Sequence, residues 1–219
     1  MIDTTLSISG IEVHEPVTVF TNFIITTLLI SFYCRLKLLS KSKGDGVNEW
    51  RLFFLFLAIS SFLGGCSHAF FLTHESLPYK SVWLSNQLMN GISVYFAQQA
   101  TFATVLKNSI NKNKWKWSYL IQLLVFGAAL LLIQNYLVTV FENAIGLIPV
   151  MVLHYSFKPK TPSYIKIANG IAIAFVSAIV FVTKFSIHRY FNFNDLAHLF
   201  IMASVYTMYK GIKEYAVLT

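Results

Sequence analysis

The chain has 219 residues, of which 56% are hydrophobic and 12% charged, with a formal net charge of +8. Soluble domains carry about 25% charged residues, so this composition argues against a water-solvated globule. The basic residues sit between apolar runs, which makes them topology signals rather than a nucleic-acid surface. Seven spans of about 20 residues take about 140 positions, which leaves only loops and excludes a second domain.

Residues 1–16 hold Asp3, Glu12 and Glu15 but no Lys or Arg. They lack the positive n-region of a signal peptide. Apolar runs then follow at 17–36, 51–73, 82–106, 117–134, 136–156, 164–187 and 194–216. They are continuous rather than alternating, so they read as helices and not as barrel strands. The expected fold is all-α: a polytopic bundle of seven transmembrane helices in one domain. Glu15-Pro16 opens the first run, with proline at a helix start. The longest polar stretch, 40–48, is a loop after the first. Gln134 and Asn135 alone separate the fourth and fifth, which predicts a tight turn.

Fourteen of the 17 basic residues, from Arg35 to Lys213, fall at the ends of alternate connections and after the last span; Lys80, Lys184 and Arg189 take the other side. The positive-inside rule makes the richer side cytoplasmic. The N-terminus is then outside and the C-terminus inside, as an odd number of spans requires. Trp50, Trp115 and Trp117 are expected at the inner interface and Trp83 at the outer. Cys34 and Cys66 fall near opposite faces, too far apart for a disulfide.

Ionisable and amide side chains at bilayer depth are costly and mark candidate sites. At ~1.5 Å per residue, His68, Asn86, Gln87, Asn90, Glu142, Asn143, Asn194, Asp195 and His198 all lie within about 10 Å of the outer interface. Four helices thus bring polar groups to one level. Asn194 and Asp195 precede His198 by four and three residues and can share its helix face. Two imidazoles, His68 and His198, with the Asp195 carboxylate could bind a divalent metal and leave a position for water. Asp195 could instead cap the seventh helix. Glu142 or Asp195 would move protons, Ser67 is a nearby hydroxyl, and Asn86, Asn90 and Asn194 would line the pocket. His14, His74 and His188 are expected to be solvated at the outer interface. His154 lies towards the inner end, Gln98 and Gln99 are candidates to bridge helices, and Gly64, Gly65, Gly91, Gly127 and Gly146 to allow close helix contact.

The layout, with Gly64-Gly65-Cys66-Ser67-His68 and Asn194-Asp195-Leu196-Ala197-His198, resembles the CREST superfamily of seven-helix proteins. That group includes alkaline ceramidases, progestin and adiponectin receptors and GPI lipid-remodelling hydrolases. The start from Glu15 to Thr21 is more similar to an uncharacterised bacterial branch. The resemblance implies a zinc-dependent hydrolase of lipid amides or esters in a plasma or bacterial inner membrane, with a membrane lipid as substrate. A non-catalytic lipid sensor of the same fold is the alternative. Three positions depart from the pattern: Asn194 stands for a histidine, Gly64 for a serine, and the third span offers Asn86 and Asn90 rather than an aspartate. A retinal protein is disfavoured because Lys210 and Lys213 lie at the end of the seventh span rather than midway along it, and no repeated or broken spans suggest a transporter.

Overall fold

The computed structural model describes residues 5–8, 11–39, 45–70, 76–106, 112–156, 161–188 and 191–218. Seven helices follow a short hairpin: β1 (Thr5–Ile8), β2 (Ile11–His14), α1 (Pro16–Leu39), α2 (Val47–Phe70), α3 (Leu77–Val105), α4 (Lys112–Ile133), α5 (Tyr136–Ser156), α6 (Pro162–Thr183) and α7 (Phe193–Leu218). Each predicted span lies on one helix, apart from residues outside the described set and a shift at the ends. α2 begins earlier than predicted because Gly46, at φ 80°, turns the chain into it. α6 ends four residues short of the predicted 187, because Lys184 takes a left-handed conformation at φ 52° and stops it. The turn between α4 and α5 is as tight as expected. Gln134 is left-handed, and the Asn135 carboxamide accepts from the Leu137 N–H at 2.9 Å.

α1, α2, α4, α5 and α6 are long and apolar enough to cross a membrane. α3 and α7, at 29 and 26 residues, have the length. Their polar residues, Asn86 to Gln99 on α3 and Asn194 to His198 on α7, lower their hydropathy. Large apolar side chains that would be anomalous at a water surface, such as Leu132 at 85% exposed and Phe20 at 65%, suit lipid contact.

The helices do not pack in a simple file. α1 contacts α2 and α7, α2 contacts α3, α3 contacts α5, α5 contacts α6, and α6 contacts α7. These six close a ring, and α4 packs against α3 and α5. The hairpin, paired Thr5 to His14 and Leu6 to Val13, lies against α2.

The main apolar core joins Ile25, Leu29, Phe32 and Leu36 of α1 to Trp50, Phe54 and Ala58 of α2 and to Val205, Met208 and Ile212 of α7. Most lie in the half of each helix remote from the hairpin, where a few buried polar side chains, Thr101, Thr104 and His154 among them, accompany the apolar core. Trp50, expected at an interface, is fully buried in this core, edge-on to Phe53 with centroids 5.6 Å apart. Trp115 and Trp117 remain exposed. α6 and α7 approach through Gly170 and Gly211. A Cβ on Gly170 would sit 2.8 Å from the Ser204 carbonyl oxygen, and one on Gly211 2.5 Å from that of Ser163.

Candidate functional site

One face of α1 organises the half nearer the hairpin. Glu15, Thr18 and Thr21 recur every three residues and so lie along one side of the helix. Each holds a residue of another helix. Glu15 Oε2 is 2.8 Å from His68 Nδ1 on α2. Thr18 Oγ1 donates to Asp195 Oδ1 at 2.8 Å, and Thr21 Oγ1 lies 2.7 Å from His198 Nδ1, both on α7. The stripe runs inward from the hairpin end and draws His68, Asp195 and His198 into one region.

The neighbours of Nδ1 in each ring favour a proton on that nitrogen. The Thr21 hydroxyl is 3.0 Å from the carbonyl oxygens of both Val17 and Thr18, which take its single proton. With that proton kept on its own helix, Thr21 accepts from His198 Nδ1–H, the tautomer that puts the lone pair of the neutral ring on Nε2. The Glu15 carboxylate is within ion-pair distance of His68 Nδ1, and its negative charge favours a proton on that nitrogen and the lone pair on Nε2. A carboxylate on the remote ring nitrogen is the usual means of orienting an imidazole that works through the other.

Glu15 itself is strained. It has φ 44°, unusual for a side chain larger than glycine, immediately before Pro16. Its carbonyl accepts from Val19 N–H at 3.0 Å, so it also opens α1. Such backbone outliers cost about 1–3 kcal/mol and cluster at functional sites.

Asp195 has a different occupation from that expected of a metal ligand. Asn192 caps α7, with its Oδ1 accepting from Asn194 N–H at 2.7 Å and Asp195 N–H at 3.4 Å. Asp195 Oδ2 reaches back to Asn192 N–H at 2.9 Å. This is a reciprocal capping box, and the other carboxylate oxygen is held by Thr18. The capping role is thus the one the bonding pattern gives. Glu15 and His68 are still close enough to act electrostatically on both Asp195 and His198.

Deeper along the same face, Asn22 Oδ1 accepts from Ser61 Oγ at 3.2 Å, and Ser60 Oγ donates to Asn86 Oδ1 at 2.6 Å. Gly64 lies between the two amides. A Cβ there would be 3.2 Å from Asn22 Oδ1 and 3.3 Å from Asn86 Nδ2. The position where the resemblance expects serine is therefore filled by carboxamides from α1 and α3.

The other candidates divide. Ser67 donates to the Gly64 carbonyl at 2.8 Å within its own helix, so its proton is not directed at a base. Asn194 is buried at the start of α7. Asn90 is half-buried on α3. Glu142 does not join this group: it accepts from Gln122 Nε2 at 3.1 Å, on the α4 side of the bundle. Gln98 bridges helices as expected, donating to Gln122 Oε1 at 2.9 Å. His14 is not solvated but buried, with its Nδ1 3.0 Å from Thr5 Oγ1. His188 is exposed, and His74 lies outside the described residues.

Among the described residues, no three of His, Cys, Asp and Glu are grouped so as to hold a metal. The atoms best placed for chemistry are the two Nε2 positions. Thr18 and Thr21 entered the sequence reading only as part of the stretch from Glu15 to Thr21, with no role assigned, and Asn22 not at all.

These features define a helical bundle, five of whose helices are long and apolar enough to cross a membrane, with a polar, histidine-bearing cluster at one end. The chain matches the Family of unknown function (DUF6962) over residues 17–217 and belongs to it. No curated protein and no solved structure matches the chain.

Proposed function

We propose that the chain is a seven-span membrane hydrolase acting on a lipid amide or ester, with its N-terminus outside and its pocket just below the outer headgroups, in a plasma or bacterial inner membrane. The observation that carries this reading is the pair of imidazoles oriented through Nδ1 by Glu15 and Thr21. His198 Nε2 takes a proton from water as its oxygen adds to the carbonyl carbon. The leaving amine or alkoxide departs with a proton returned from an imidazolium, and Glu15 steadies the His68 ring in that exchange. Exposed apolar side chains at this end of the bundle, such as Phe20 and Phe70, suit contact with an acyl chain.

The resemblance to the CREST superfamily supports the substrate class and implies zinc. The pocket offers two imidazole nitrogens where a hydrolytic zinc takes three protein ligands, and Asp195 is bound at both oxygens. The donor set as bonded does not fit zinc. That same shortage favours a second reading, a non-catalytic sensor that binds a lipid in the pocket.

Purified protein incubated with ceramide and phospholipid mixtures, with products followed by mass spectrometry, separates the two. The hydrolase reading expects fatty acid release that falls at least tenfold in His198→Ala and is retained in Thr21→Ser. Lipid bound without turnover, with or without added zinc, would remove the hydrolase reading and leave the sensor.

A further inference from the structure

We infer that a second site, on the face of α5 that carries Thr139, Glu142 and Asn143, binds one monovalent cation in competition with a proton. The buried residues of α5 are Thr139, Glu142, Gly146, Val150 and His154. Their spacing of three and four makes one inward stripe, so Thr139 and Glu142 share a face, with Asn143 beside them.

Glu142 is 5% exposed, and its hydrogen-bond partner is an uncharged amide, Gln122. That amide is oriented in turn by Gln98. Gly146 gives the pair room, since a Cβ there would sit 3.2 Å from Gln122 Nε2 and 3.4 Å from Gln98 Nε2. Titratable groups on the helices packed against α5 are Tyr79, Lys80 and Tyr95 of α3, Lys114, Lys116 and Tyr119 of α4, and Tyr164 and Lys166 of α6, with Lys184 just beyond α6 and Tyr136 and His154 on α5 itself. The lysines lie near or beyond helix ends, and none forms an ion pair with Glu142.

A carboxyl in a low-dielectric interior needs a proton or a cation to balance it. Two further oxygens stand ready for a cation. Thr139 Oγ1, on a side chain 1% exposed, and Asn143 Oδ1 are both buried without a hydrogen-bond partner. Neutral hydroxyl and carbonyl oxygens with a carboxylate are a hard donor set. One negative charge matches a monovalent ion, whereas a divalent ion would leave net charge in the interior. The site is separate from the histidine pocket and does not depend on the hydrolase reading.

The test uses the full chain in detergent at constant ionic strength, with choline chloride replaced by sodium or potassium chloride. Two signals are followed: the melting midpoint, and the infrared C=O stretch of a protonated carboxyl. Sodium at about ten times its dissociation constant should raise the midpoint by about 4 °C, more at higher pH, and remove the carboxyl band. Both responses should vanish in Glu142→Gln. Thr139→Val, which keeps the carboxyl, should need several-fold more sodium. A midpoint and band that are identical in sodium, potassium and choline would overturn the site, since Glu142 would then hold a proton whatever the cation.

Discussion

Replacing Asp195 with alanine tests whether the carboxylate does what its bonds suggest. The side chain is 1% exposed and makes two contacts, from the Thr18 hydroxyl and from the Asn192 N–H that closes the cap of α7. A hydrogen bond to a charged group contributes about 1.5–3 kcal/mol, and the return half of the capping box that Asp195 supplies adds about 0.3–1.5 kcal/mol, while Asn192 keeps its own bonds to the helix. The two share one carboxylate, so their sum is an upper value, and a loss of about 3 kcal/mol is expected. For a chain of this size each kcal/mol moves the midpoint by about 2–4 °C. Asp195→Ala should therefore melt about 6–12 °C below the wild type, followed by far-ultraviolet circular dichroism in detergent. Asp195→Asn keeps one acceptor oxygen and should lose about half as much. An alanine variant that melts within about 2 °C of the wild type would refute the reasoning, because neither the cap nor the link from α1 to α7 could then be formed.

Other expectations concern packing. Gly211→Ala should destabilise the α6–α7 contact by about 1–3 kcal/mol, since the added Cβ meets backbone oxygen at 2.5 Å rather than a flexible side-chain end; thermal denaturation reads this, and a neutral result would show that the helices can move apart freely. Trp50→Phe should cost much less than the 3–5 kcal/mol typical of a buried Trp→Ala change, because the indole N–H it removes is buried without a partner. Equal melting losses in the two Trp50 variants would contradict that.

The number of helices and their order were legible because the apolar runs are long and the breaks polar. His68 and His198 stood out because an imidazole at bilayer depth is rare. What sequence position gave was height along a helix, not the side on which a residue faces its neighbours. Glu142 was therefore grouped with the histidines by height alone, whereas α5 turns it towards Gln122 on α4. Thr18 and Thr21 were hidden for another reason. Threonines are common in apolar helices and bond to their own backbone, as Thr26 and Thr27 do here, so their reach to α7 depends on the ring order that brings α1 beside it. Asp195 had two readings in the sequence, and only the position of Asn192 and Thr18 around it distinguishes them. His14 and Trp50 were misplaced because the hairpin that buries one and the helix packing that buries the other are products of tertiary structure.

The reading of the pocket rests on which nitrogen of each ring bears the proton. Nitrogen-15 spectra of histidine-labelled protein, assigned with His68→Gln and His198→Gln variants, report this directly. Neutral His198 should carry its proton on Nδ1 with Nε2 bare, and Thr21→Val should abolish that preference. A His198 signal with the proton on Nε2 in the wild type would leave no base facing the substrate and would contradict the account.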